Sequence, residues 1–379
     1  MIPLRVALVV GTTAGGTGSH VAMLADGCRE RGLAVTVLGP GSAAPLFAAS
    51  AVPFVTVDVG DRPRPVADAA AIAALRKRLR EAAPDVVHAH GLRAGAFAAA
   101  ALAGATRLGP ALLVTVHNAA PASAPAAAVY RVLELIVARR ATAVLCASGD
   151  LADRMRRLGA RETGLAVVAA PEPGPPSAEA VSRARADIGA AGRPVLLAAG
   201  RLAPQKGFGV LLDAAPAWQA RRPAPVLAIA GEGPLAGELS ATARAARLDV
   251  VFLGPRDDIP ALLAAADVVV VPSLWEARAL IVQEALRAGK PIVATRVGGI
   301  PEITGEDGAR LVPPGDPGLL AMAVLSVLDD QNRAARLGAA ALARSRALAA
   351  ESDAVTAAVS AYQRLAARRI RQAGARPVG

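Results

Sequence analysis

DVVVVPSLWEARALIVQEALRAGKPIVAT, Asp267–Thr295, reads as strand, loop, helix and strand in one pass. Asp267–Val271 is an apolar β-branched run too short for a helix, and Ile292–Ala294 repeats it. The stretch between them reads as a loop followed by a helix. A strand apolar along its whole length needs cover on both faces, the condition met by parallel sheets with helical crossovers.

The same alternation fills the chain. Before Pro171 the strand candidates are Leu4–Val10, Leu33–Leu38, Asp85–His88, Ala111–Val116, Ala143–Cys146 and Leu165–Val168, with helical patterns such as Val66–Glu81 and Tyr130–Arg140 between them. PEPGPP, Pro171–Pro176, removes backbone donors and fixes φ, so neither helix nor sheet continues through it. The alternation restarts at Val195–Ala199, Val226–Ala230 and Val250–Leu253, ahead of the opening segment. This predicts two Rossmann-like, doubly wound α/β domains. The expected boundaries are 1–172, a linker over 173–192, 193–350, and a C-terminal helix and tail over 351–379, helical from Ser352 to about Arg371.

Bulk composition agrees. The 379 residues exceed one ordinary domain, and at 54% hydrophobic they can fill two cores. No apolar stretch approaches the ~20 residues of a membrane span. Leu4–Val10 lacks a basic flank and a cleavage site, so it is expected to be a first strand and not a signal peptide. Cys28 and Cys146 cannot make a disulfide framework, and no Cys/His spacing suggests zinc; a cytoplasmic location is expected. The net charge of +11 is almost all arginine, while aromatics are 2%. Stacking platforms for single-stranded nucleic acid are therefore scarce, and no nucleic-acid partner is expected. A basic surface suits phosphate-bearing ligands or anionic lipid instead.

Ligands of open parallel sheets bind at the carboxyl ends of the strands. The unusual residues sit there: Gly11–Gly18, His88–Gly91, His117–Asn118, Gly200–Gly207, Gly231–Gly233 and Pro272–Glu276. GTTAGGTGSH, Gly11–His20, lets backbone N–H groups approach an anion at a helix start. It lacks the G-x-G-x-x-G of a dinucleotide site, and the second strand ends without an acid, which disfavours a nicotinamide enzyme. The four histidines, His20, His88, His90 and His117, all fall at or next to predicted strand ends, where imidazole can donate to a sugar hydroxyl or a developing phosphate charge. Arg201 and Lys206 project from one strand-end loop as a pair of cations suited to a diphosphate. Lysine there is a choice in a chain that otherwise uses arginine. Glu276, in a loop, and Glu284, in the following helix, are separated by seven residues, about two helical turns, and so are expected on one side.

With these residues in view, the chain resembles the retaining glycosyltransferases of the GT-B fold, family four, along nearly its whole length. The carrying signals are the E-x7-E pair Glu276/Glu284 and the G-R-x-x-x-x-K-G loop, with AGEGP (Ala230–Pro234) and FLG (Phe252–Gly254) between them and GGTGSH (Gly15–His20), HAHG and TVHN before. The resemblance implies two domains facing across a cleft. It implies that Arg201 and Lys206 bind the donor diphosphate, that Glu284 binds the ribose, and that Gly231, Gly233 and Leu280 lie on the donor side. Gly16 would offer a backbone N–H to phosphate. Glu276 and His117 would lie beside the transferring sugar as catalytic candidates. Gly15, Gly18, His20 and His90 would fall on the acceptor side.

The implied reaction moves a hexose from GDP-mannose or a UDP-sugar to an unidentified sugar, lipid-linked or small-molecule acceptor. The anomeric configuration is retained, with no metal and no cofactor, and the setting is cell-envelope glycan or glycolipid synthesis. Two departures stand out. Ala277-Arg278-Ala279 replaces the family's glycine-aromatic-glycine run, and Ala170-Pro171-Glu172-Pro173-Gly174 replaces its P-N-G segment. The rivals are a nucleotide-sugar epimerase of the same fold and a catalytically inactive binding relative. A helix with Ile72, Leu75 and Leu79 on one stripe beside Arg76, Lys77, Arg78 and Arg80 raises the expectation of peripheral contact with an anionic membrane at its inner face. The alternative is that this stripe packs on the first sheet.

Overall fold

The apolar runs become the inner strands of two separate parallel sheets. The computed structural model describes residues 3–11, 16–60, 62–104, 109–118, 124–172 and 174–374. Two bodies are present, Met1–Ala169 with Ala349–Gly379, and Ala170–Leu348.

The first body runs β1 (Arg5–Val10), α1 (Gly16–Glu30), β2 (Ala34–Gly39), β3 (Phe54–Thr56), α2 (Pro65–Ala82), β4 (Val86–His90), α3 (Leu92–Ala101), β5 (Ala111–Val116), α4 (Ala124–Arg140), β6 (Ala143–Cys146), α5 (Gly149–Arg157) and β7 (Thr163–Leu165). Its sheet has the order β3-β2-β1-β4-β5-β6-β7, all parallel. The central strands β4 and β5 are buried throughout, as a sheet covered on both faces requires. The register sets Leu8 beside His88 and Val10 beside His90, then His88 beside Leu113 and His90 beside Thr115. One face of this sheet packs Val6, Leu8, Val10, Leu113 and Ala143 against α1 and the chain's last helix.

The second body runs α6 (Ala178–Ile188), β8 (Val195–Ala199), α7 (Phe208–Gln219), β9 (Val226–Ala230), α8 (Ala236–Ala245), β10 (Val250–Gly254), α9 (Ile259–Ala265), β11 (Val268–Val271), α10 (Leu280–Arg287), β12 (Ile292–Thr295), α11 (Ile300–Thr304), β13 (Arg310–Val312), α12 (Pro317–Leu328) and α13 (Gln331–Ser345). Its parallel sheet has the order β10-β9-β8-β11-β12-β13. The chain then returns to the first body as α14 (Glu351–Gly374). There α14 seats on α1 at Gly27, where a side-chain carbon would run into Val355. Val355 and Leu365 are buried, each worth about 1.5–3 kcal/mol. Arg364 and Arg368 both reach the Glu162 carboxylate, and Arg369 reaches Asp85 at 3.3 Å.

The fold departs from the sequence reading at several elements. β3 and β13 are three-residue edge strands, too short for a period of two to show. β7 is Thr163–Leu165 and not Leu165–Val168, because its pairing with β6 ends where Cys146 meets Leu165. Residues 173–192, expected as a linker, hold α6. Ser177 caps that helix by accepting from the Ala180 N–H, and Ala184 and Ile188 are buried in the second core. The stripe on α2 does not face outward: Leu75 and Leu79 are buried, and Arg76 donates to the carbonyls of Ala101 and Ala100 at 3.0 and 2.9 Å, closing the end of α3. The apolar half of a lipid-binding helix is thus already used by the fold.

Candidate active site

The winding of the second sheet reverses between β8 and β11, the point where open parallel sheets bind ligands. The loops after these two strands flank it. After β8 the chain turns at Gly200 and buries Leu202, and Arg201 stays exposed. The Arg201 side chain makes no hydrogen bond or ion pair with a described residue, although the Arg201 carbonyl accepts from the Ala203 N–H at 2.8 Å. A single 3-10 turn, Pro204–Lys206, then carries Lys206, and Gly207 opens α7 at φ +67°. Glycine is required there twice over, since a side-chain carbon would also overlap the Pro272 carbonyl of the other loop. The two loops are joined where the N–H groups of Leu274 and Trp275 donate to the Gln205 carbonyl at 2.8 and 3.3 Å.

That junction brings Glu276 to Lys206. Nζ of Lys206 and Oε2 of Glu276 form an ion pair, with side chains 23% and 13% exposed. The loop after β12 closes behind: the Gly299 N–H donates to the Glu276 carbonyl at 3.0 Å, and Gly298, at φ +48°, presses on the same carbonyl. Three strand-end loops therefore hold Glu276, through its backbone carbonyl and, at the carboxylate, through Lys206. Glu284 lies on α10, half-buried, and burial raises its carboxyl pKa while Arg287 pulls it down. α10 starts only at Leu280, so Glu276 is not a helical neighbour of Glu284. The expected two-turn stagger does not apply, and tertiary contacts place Glu276 instead. Ala279 gives α10 no side-chain cap, which leaves the Leu280 end of the helix open to an external acceptor.

Gly231 and Gly233 sit where the loop after β9 lies against the loop after β8; a side-chain carbon on either would overlap backbone of Gly200 or Leu202. Their backbone permits that packing, tied by Leu202 N–H to Glu232 carbonyl at 2.8 Å. Arg278, the departure from the family pattern, is half-buried, with Nε enclosed and without a bond to any described residue. Burial lowers its guanidinium pKa, and the nearby Glu302 carboxylate opposes that shift.

The first sheet reverses between β1 and β4. Gly16 begins α1 there, Gly18 is buried in its first turn, and Gly15 lies outside the described residues. All four histidines of the chain collect at this place. His90 Nδ1 lies 3.2 Å from His117 Nε2, with the rings 20° from parallel. The His20 ring centroid is 6.2 Å from that of His90 and 5.9 Å from that of His117. His88 is not at a strand end: it sits mid-strand in β4, bonded at Nδ1 to the Tyr362 hydroxyl and at Nε2 to Thr115 Oγ1, both at 2.7 Å. His20 is on α1, one turn in. Burial holds His20 down to about 4 and His88 and His117 to about 3; His90 is pushed well below its ordinary value by the same cause, with the other histidines adding to it. The group is neutral at pH 7. Tyr362 and Thr115 escaped the sequence reading. The one available signal was a tyrosine at a periodic apolar position of the last helix in a chain with only two tyrosines.

Comparison with known proteins fits this arrangement. A family model described as "Glycosyl transferase 4-like domain" matches residues 15–171, and one described as "Glycosyl transferases group 1" matches residues 193–330. The alpha-D-kanosaminyltransferase of Streptomyces kanamyceticus is 31% identical over 274 residues, which is 67% of this chain and 71% of that protein. The chain is a group 1 glycosyltransferase. This glycosyltransferase is also 35% identical, over 178 residues, to the GDP-mannose-dependent alpha-(1-6)-phosphatidylinositol monomannoside mannosyltransferase of Mycolicibacterium smegmatis; the match covers 44% of this chain and 46% of that protein. HepE from Anabaena, solved with UDP and glucose, matches it with a TM-score of 0.81 over 95% of this chain and 99% of that one, at 22% identity, which establishes the shared GT-B fold. Among the described residues, no helix of the glycosyltransferase is long and apolar enough to cross a membrane.

Proposed function

We propose that this glycosyltransferase moves a hexose from a nucleoside-diphosphate sugar to a hydroxyl acceptor with retention of configuration and without a metal. The observation that carries the reading is the Lys206–Glu276 ion pair at the switch point, on the same loop as an exposed Arg201 whose side chain makes no bond to a described residue. Arg201 and Lys206 hold the diphosphate, whose charge grows as the bond to the sugar breaks. Glu276, held by three loops, receives the sugar hydroxyls, and Glu284 receives the ribose diol. The open first turn of α10 at Leu280 offers backbone N–H groups to sugar or phosphate oxygens.

Gly16, at the start of α1, belongs to the phosphate-binding set, and Gly18, His20 and His90 to the acceptor side. His117 is buried and neutral, so it serves as a hydrogen-bonding group toward the sugar and not as an acid. The leaving phosphate takes the acceptor proton. HepE was solved with UDP and glucose and the mycobacterial relative is GDP-mannose-dependent, so both donor types enter the test. A panel of UDP- and GDP-hexoses should stabilise the protein, a ligand at ~100 times its dissociation constant adding roughly 2.7 kcal/mol. Turnover with an acceptor should give a product of the donor's anomeric configuration by NMR. A product of inverted configuration, or C2 epimerisation of the donor without any acceptor, would overturn the reading.

A further inference from the structure

The neighbours of His117 determine where its proton sits. His90 Nδ1 and His117 Nε2 are 3.2 Å apart, so one ring donates and the other accepts. The other nitrogen of His90, Nε2, is buried and has no hydrogen-bond partner among the described residues. A proton there would be an orphaned buried N–H, the rarer and costlier fault, whereas an unused lone pair is the lesser one. His90 therefore carries its proton on Nδ1 and donates it to His117 Nε2. His117 is neutral because it is buried, with its pKa held to about 3. Its single N–H must then be on Nδ1, which makes no bond to a described residue and, unlike His90 Nε2, is not an enclosed atom without a partner, so a donor there can meet an outside acceptor.

The ring that makes this assignment is itself held. His88 lies against His90 with centroids 4.1 Å apart. Both His88 nitrogens are engaged, by Tyr362 of α14 and Thr115 of β5, so His88 cannot turn without breaking a buried hydrogen bond. Tyr362 is itself fully buried. Side chains from β4, β5 and α14 thus converge under one imidazole.

We propose that His90 is a positioning residue for His117, fixing it as the Nδ1–H tautomer so that it presents a hydrogen-bond donor to an oxygen of the substrate, with the Tyr362–His88–Thr115 group holding the His90 ring in place. The substrate atom matched by this donor is a hydroxyl or ring oxygen acting as acceptor. Proton removal by Nδ1 of His117 is excluded, which leaves that task to the departing phosphate. The inference rests on the reading of His117 as a group that touches the sugar.

Four histidines make the test direct. Protein labelled with ¹⁵N-histidine gives long-range ¹H–¹⁵N spectra that separate the two neutral tautomers, and single His→Gln variants assign the rings. At pH 7.5 the wild type should show Nδ1–H for both His117 and His90. His90→Leu should move His117 to a mixture or to Nε2–H. His90→Gln, which keeps an N–H toward His117, should hold the Nδ1–H form and covers the case where the leucine variant fails to fold. An Nε2–H His117 in the wild type, or an unchanged tautomer in folded His90→Leu, overturns the proposal. In kinetics, His90→Leu should lower kcat roughly 10–100-fold, as for partners that orient metal-bound imidazoles. The donor KM should stay within about threefold, and His90→Gln should recover most of the loss. Unchanged kcat in a His90→Leu protein whose tautomer has moved also overturns it. Full activity of His117→Ala would instead remove His117 from the reaction while the tautomer result stood.

Discussion

Lowering the pH from 7.5 to 5.5 should destabilise the first body selectively. His20, His88 and His117 are 5%, 2% and 8% exposed and fold in the neutral form. Their folded pKa values, about 4, 3 and 3, lie far below the unfolded value near 6.5. A group depressed in this way leaves stability whole above the unfolded pKa and removes it as the pH falls toward the folded one, because only the unfolded chain takes up the proton. At pH 5.5, one unit below 6.5, each such histidine costs about 1.4 kcal/mol, or about 4 kcal/mol for these three. His90 adds a loss of the same sign. For a body of 150–250 residues about 4 kcal/mol lowers Tm by roughly 8–16 °C.

The two bodies can be followed separately. Both tryptophans, Trp218 and Trp275, lie in the second body, which holds no histidine. Tryptophan fluorescence should melt at nearly the same temperature at both pH values. Amide hydrogen exchange in β4 and β5 should show the first body opening earlier at pH 5.5. Glu284, raised by burial, works in the opposite direction but sits in the second body. A first-body Tm that moves less than ~2 °C between the two pH values would refute the reasoning, since the buried cluster would then have to accept protons without cost.

Lys206→Ala should lower kcat/KM for the donor at least about tenfold, or ~1.4 kcal/mol of transition-state stabilisation; unchanged kinetics in a folded variant would remove Lys206 from the diphosphate site. Glu284→Gln should raise the dissociation constant of the free nucleoside diphosphate about tenfold, as expected for a hydrogen bond to a charged group, while Glu276→Gln should spare that constant and lower kcat; calorimetry showing the reverse pattern would exchange the two roles. Activity should survive EDTA, with Arg201 and Lys206 supplying the positive charge; recovery only on adding magnesium or manganese contradicts this.

The sequence showed what depends on neighbours along the chain and hid what depends on neighbours in space. β11, Val268–Val271, is four valines, and no other structure suits that run, so the inner strands were readable. The edge strands β3 and β13 are defined by the strand beside them. Glu276 and Lys206 were visible as candidates, but their pairing spans 70 residues and depends on the Gln205 carbonyl meeting the next loop. The histidines could be gathered to one edge from the sequence, yet the contact of His88 with Tyr362 spans 274 positions and waits on α14 returning to the first body.

These hidden contacts bear on chemistry as well as on folding. Lys206 pairs with Glu276, and a partly buried carboxylate that loses its partner is costly. On the proposed assignment, a diphosphate that draws Lys206 away leaves Glu276 short of one bond. Only a donor that still carries its sugar brings hydroxyls to replace it. On the proposed assignment, recognition of phosphate and recognition of sugar are coupled through this single ion pair, which predicts tighter binding of the intact donor than of the spent nucleotide.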